Sequence, residues 1–172
     1  INVNAWSDNK LHYWLFFRSL YNGNIFYSCR FCCIYKNALK HALDNPTILN
    51  NLGNVLHLQD KHEEAVDLLN KAIDADPDYS DALNNLGNAL SSLGRLNEAL
   101  ITYNRAIQLT PNAAQIHFNL GCALSNLGQM ESAIASFDKA IVLDPSYSQA
   151  YYSRGKVLQE LGLFQKQLVD VD

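Results

Sequence analysis

Apolar residues recur at three- and four-residue steps along most of the chain. Ala82, Leu83, Leu86, Leu90 and Leu93 share one face of a 3.6-residue helix. After Gly94 a second run follows, with Leu96, Ala99, Leu100, Tyr103, Ala106 and Ile107. Gly can close a helix in the left-handed conformation, since it has no Cβ to clash. Pro111 ends the second run, because proline disfavours helical geometry in the residue before it. The unit is therefore a pair of amphipathic helices.

That unit repeats. Asn51-Leu52-Gly53 returns as Asn85-Leu86-Gly87 and Asn119-Leu120-Gly121, each step 34 residues, and Gly155 lies one more step along. The second halves keep the same step through Ala65, Ala99 and Ala133, then Leu69, Tyr103 and Phe137, then Ala72, Ala106 and Ala140, then Pro77, Pro111 and Pro145. The pattern predicts antiparallel helices over 46–59, 62–75, 80–93, 96–109, 114–127, 130–143 and 148–161. Gly128 and Gly162 are expected to end their helices as Gly94 does. Asn45-Pro46 reads as an N-cap followed by proline in the first turn.

Gly53, Gly87 and Gly121 fall mid-helix, where Gly costs about 1 kcal/mol against Ala. Close helix approach offsets that cost. The expectation is that Ala65, Ala99 and Ala133 of the partner helix lie against the bare backbone, with Gly155 doing the same in the last unit. Since no unit buries its apolar face alone, stability comes from stacking.

These residues resemble the tetratricopeptide pattern, Trp-x2-Leu-Gly-x2-Tyr, then Ala-x3-Phe, Ala and Pro within 34 residues. The resemblance covers about Asn45 to Asp172. Leu49, Leu83, His117 and Tyr151 take the Trp place, and Leu56, Leu90, Leu124 and Leu158 take the Tyr place. His117 is expected at the edge of the core. The resemblance implies an all-α fold, a right-handed α-solenoid of antiparallel helix pairs. Its units are 46–79, 80–113, 114–147 and a partial 148–172, in an array over 35–172 that opens with a lone second helix at 35–44. Gln167 replaces the small Ala of the last unit, so a short, poorly packed second helix is expected there.

Residues 1–34 break the frame. Trp14, Phe17 and Tyr21 have the spacing of a first helix, but Arg18 stands where Gly belongs. The segment is either a degenerate first helix over Leu11 to Tyr21 or non-native sequence, such as an intron read through. The chain starts at Ile1 and reads as a fragment or a processed product. Leu11 to Ile34 is the most apolar stretch, interrupted by Arg18, Arg30 and Asn22-Gly23-Asn24. No uncharged apolar run there reaches the roughly 18 residues of a membrane span, and neither a membrane nor a targeting role is expected.

Composition narrows the functional classes. Hydrophobic residues make up 48% of the chain, enough for a core. A formal net charge of −4 gives no broad attraction to phosphate backbones, so nucleic acid is not an expected partner. Cys29, Cys32, Cys33 and Cys122 suggest no disulfide framework, and an intracellular, cytoplasmic setting is the default. Cys29-x-x-Cys32 is half of a zinc pattern with no second pair following, so no metal is expected. His57 and His62 lie five apart across a turn and have no intervening Glu at zinc-protease spacing. Ser91, Ser92 and Ser125 have no paired base, and no phosphate-binding loop is present. Neither an enzyme nor a cofactor is expected.

In the tetratricopeptide family the first helices line a concave surface. By helical spacing that face collects Asn50, Asn51 and Asn54, then Asn84, Asn85 and Asn88, then Gln115, Asn119 and Cys122, then Gln149, Ser153 and Lys156. An amide both donates and accepts, so a column of Asn can pair with an extended peptide backbone. The expected function is a protein–protein interaction scaffold that holds a partner's extended segment. Asn51, Asn85 and Asn119 also resemble the asparagine ladder of O-linked N-acetylglucosamine transferases. The alternative is therefore a substrate-recruiting fragment of a glycosyltransferase. Family members that grip chaperone carboxylate tails use two Lys, two Asn and an Arg. Asn54 and Asn85 match the Asn pair, but Asn50 and Gln115 replace Lys and Asn119 replaces Arg, so that ligand is not expected.

Overall fold

The computed structural model of the chain describes residues 45–169, with side-chain surroundings through Gly162. The expectations for 1–34, for a helix at 35–44 and for Cys29 and Cys32 lie outside these residues. Among the described residues seven helices run in order: α1 Pro46–His57, α2 His62–Ala75, α3 Ser80–Ser92, α4 Leu96–Leu109, α5 Ala114–Asn126, α6 Met130–Leu143 and α7 Ser148–Val169. No strand occurs among the described residues.

Local chemistry sets the helix ends. Asn45 Oδ1 accepts from the backbone N–H groups of Thr47 and Ile48 at 3.0 and 3.3 Å, and Pro46 opens α1 as expected. Gly94 and Gly128 adopt φ of 73° and 76°. Each lets the next N–H reach back to close its helix, from Arg95 to Leu90 O and from Gln129 to Leu124 O, both at 3.0 Å. In the first unit Asp60 does this with φ 61°, and Lys61 N–H bonds Leu56 O at 3.0 Å. Before the prolines, Asp76, Thr110 and Asp144 leave helical geometry with ψ of 94°, 75° and 94°. Pro77, Pro111 and Pro145 are themselves exposed, so they act through the backbone and contribute no packing.

Each described helix packs against the next. First helices also approach closely across units, α1 on α3, α3 on α5 and α5 on α7, whereas the backbones of α2, α4 and α6 stay farther apart. The first helices therefore form a continuous layer while the second helices splay, and the array curves with the first helices inside. The core lies between the two sets. Ala65, Ala99, Ala133, Ala72, Ala106 and Ala140 are fully buried in it, beside Leu69, Tyr103 and Phe137.

Two packing expectations need correction. The space over Gly53, Gly87 and Gly121 is filled chiefly by the large residue four places after each alanine. A Cβ on Gly53 would fall 2.7 Å from Leu69 Cγ, one on Gly121 would fall 2.7 Å from a Phe137 ring carbon, and one on Gly87 would overlap the Tyr103 ring. Gly155, expected to pack likewise, is exposed with nothing within 4 Å of where its Cβ would sit.

The second correction concerns α7. It passes straight through Gly162 to Val169, over 22 residues, instead of ending there. Gly162 has no positive φ, so α7 does not fold back there, and among the described residues no second helix covers Gly155. Arg154 stands where Leu52, Leu86 and Leu120 are buried in the earlier units. It reaches outward to Asp138 Oδ1 at 2.6 Å and lies 5.6 Å from the Tyr151 ring centre.

Candidate functional site

The inner face of the first helices carries the expected amides, but their roles divide. Asn85 Nδ2 donates to Asn50 Oδ1 at 2.9 Å, and one unit later Asn119 Nδ2 donates to Asn84 Oδ1 at 2.9 Å. Each rung joins neighbouring first helices at an offset of 35 residues. Asn50 also donates to the Tyr79 hydroxyl at 3.3 Å and is only 5% exposed. It was expected on the binding surface, and the structure instead buries it as a bridge between units. In the same register the counterpart of Ser153 is Phe118, which has no amide, so the ladder stops. The counterpart of Asn51 precedes the described residues.

Other amides are tied to tyrosines. Asn88 Oδ1 accepts from the buried Tyr103 hydroxyl at 2.7 Å, and burial pushes that phenol up to about 12. Gln115 Oε1 accepts from Tyr147 at 2.8 Å, while its Nε2 donates to Asn119 Oδ1 at 3.0 Å. Asn51, Asn54 and Ser153 are half-buried and have no side-chain hydrogen bond among the described residues. The Asn column is thus first an inter-unit hydrogen-bond ladder, and what it offers a ligand is the amide capacity left over.

A depression of about 280 Å³ crosses three units of this face. His57 lines it from α1, Asn88, Ser91 and Ser92 from α3, and Asn119, Cys122 and Asn126 from α5, with Tyr103 and Ala123 at its floor. No Lys or Arg lines it. Burial raises the Cys122 thiol above its usual value, which favours the protonated form. His57 and His62 meet through their Nδ1 atoms at 3.1 Å. Burial, then His62, lowers the His57 pKa, and Asp60 partly opposes this. His117 is buried at the core edge as expected, with Nε2 donating to Pro111 O at 2.9 Å.

Sequence reasoning missed His57, Ser91, Ser92 and Asn126 as lining residues. The signal was the 34-residue step carried into the last turn of each first helix. His57 precedes Ser91 by one repeat, and Ser92 precedes Asn126 by one repeat. Among the described residues no cluster of three His, Cys, Asp or Glu could hold a metal ion, and no helix is long and apolar enough to cross a membrane.

A curved array of helical hairpins, with a shallow polar inner face, defines a repeat scaffold of the protein-interaction class. Sequence profiles of the tetratricopeptide repeat match residues 44–112, 102–135 and 123–162, and the chain belongs to that family. The chain is similar in structure to MamA, with 27% identity over 77% of each chain and a TM-score of 0.71. It is also similar to the first tetratricopeptide domain of Spaghetti (RPAP3) bound to the HSP90 peptide SRMEEVD, at 26% identity, covering 69% of this chain and 94% of that one, TM-score 0.67. The first such domain of human RPAP3 gives 26% identity, 70% and 95% coverage, and a TM-score of 0.68. No curated protein matches the chain by sequence.

Proposed function

We propose that the chain is a non-catalytic scaffold whose inner face binds an extended, uncharged or weakly polar segment of a partner protein. The observation that carries this is the depression spanning α1, α3 and α5, lined by amides, hydroxyls and imidazole without a Lys or Arg. Such groups pair with peptide backbone in both senses. The peptide in the RPAP3 relative is acidic, and an acidic tail finds no cation among the lining residues here. A neutral segment suits the face better. The glycosyltransferase reading draws on the asparagine column alone. Inter-unit bonding already accounts for that column, so the reading is not carried further.

The test is panning of a random peptide library on the full chain, followed by titration of the selected peptides. Ser92→Arg and Asn126→Arg put bulk and charge into the depression and should weaken binding by about tenfold or more. Lys71→Ala, on the outer surface, should leave it unchanged. Binding should vary little with ionic strength, since no charge pair dominates. Peptides insensitive to both inner-face variants would place the binding surface elsewhere.

A further inference from the structure

In three units a first helix offers a glycine and the following helix seats a large side chain over it: Leu69 on Gly53, Tyr103 on Gly87, Phe137 on Gly121. Helix α7 keeps that docking face and leaves it open. Tyr151, Gly155, Leu158 and Gly162 form one stripe along it, at steps of four, three and four residues. Helical geometry places these four within about 60° of one another around the axis. All four are exposed, and Tyr152 beside them is 77% exposed. Among the described residues no side chain fills the space over Gly155 or Gly162. The residues after Gly162, which would turn back over this face if they followed the earlier units, stay in α7 as far as Val169.

The order of residues along the stripe states what fits it. Large, small, large, small at steps of four, three and four becomes small, large, small, large when read backwards, at the same steps. An antiparallel copy of the same helix, centred between Lys156 and Val157, therefore places Tyr151 against Gly162 and Leu158 against Gly155. A two-fold axis repeats both contacts. Such a contact is isologous, with each copy supplying knob and hole. Both contacts are of the large-on-glycine kind that holds the other units together. Tyr152 then lies beside Gln159 of the second copy.

We propose that α7 is a homodimerisation helix and that the chain pairs with a second copy through an antiparallel contact along Tyr151, Gly155, Leu158 and Gly162. One helix pair of this length buries roughly 1,000 Å² in total, the low end for specific interfaces, so the dimer is weak and reversible. None of these four residues lines the depression, so the depression on each copy stays free in the dimer.

Sedimentation equilibrium of the full chain tests this, with a dissociation constant expected at roughly 1–100 µM. Gly155→Leu sets large against large and should weaken the dimer by about tenfold or more. Leu158→Gly sets small against small and should also weaken it. The double variant Gly155→Leu/Leu158→Gly has the wild-type composition and exchanges knob for hole, so it should return the constant to within about threefold. Helical circular dichroism checks that each variant is folded, and the open space over Gly155 means the monomer tolerates the larger side chain. A chain monomeric throughout the range overturns the proposal, as it would if another segment covered the stripe. So does a dimer indifferent to Gly155→Leu, or a double variant no better than either single one.

Discussion

Gly87 lies directly beneath the ring of Tyr103, and a methyl group on it would occupy the space of the ring itself. Tyr103 cannot easily move aside, because it is buried and its hydroxyl is bonded to Asn88 at 2.7 Å. Gly87→Ala should therefore cost about 1–3 kcal/mol through overpacking, despite Ala being the better helix former. Gly155 holds the same place in its unit with open space around it. Gly155→Ala should stabilise the monomer by about 0.5–1 kcal/mol. Urea unfolding at monomeric concentration compares the two, and shifts of the same sign would show that the partner side chain does not decide the outcome.

Asn50 and Asn51 are neighbours with opposite roles. Asn50 is buried between Asn85 and Tyr79, so Asn50→Ala strands two polar groups and should cost about 1–3 kcal/mol. Asn51 has no side-chain bond among the described residues, and Asn51→Ala should change stability by less than about 0.5 kcal/mol. A double-mutant cycle of Asn50→Ala with Asn85→Ala should reveal coupling, and strict additivity would remove the ladder as a source of stability.

The His57–His62 contact makes stability depend on pH in a definite direction. The folded pKa of His57 lies below its usual 6.5, with burial the main cause. Between the two values the unfolded chain binds more protons, so stability rises with pH there. The contribution is complete above pH of about 6.5 and is lost as pH falls towards the lowered value. His57→Gln should flatten the fall in melting temperature below neutrality. An unaltered pH profile in the variant would assign the fall to other groups.

Asp60 holds the left-handed position that glycine fills at Gly94 and Gly128. Its side chain is almost wholly exposed and has only a 3.9 Å approach to His62. Asp60→Gly should relieve the Cβ strain and stabilise the first unit by about 0.5–1 kcal/mol, less the entropy Gly loses on folding. Amide exchange of the Lys61 N–H, which bonds Leu56 O, reports this locally. Faster exchange in the variant would contradict it.

The helices and their turns were legible because periodic apolar residues, glycine and proline act locally. Leu83, Gly94 and Pro111 act through neighbours a few residues away. The fate of Gly155 was not legible, since it depends on whether a helix returns to cover it. The frame residues alone do not say that Gly162 will stay helical. Asn50 and Asn51 look alike in sequence. They differ only because α3 presents Asn85, and the turn before α3 presents Tyr79, to one and not the other. Expecting Asn50 to be exposed treated helix α1 as isolated, and the neighbouring unit buries it.

No described helix touches another more than two places away along the chain. Pulled from its two ends, such an array has no single clamp that must break at once. It peels hairpin by hairpin, and the resistance at each step is that of one interface alone. A sequence change in one unit therefore sets where the peeling pauses and leaves the strength of units beyond its neighbours as it was.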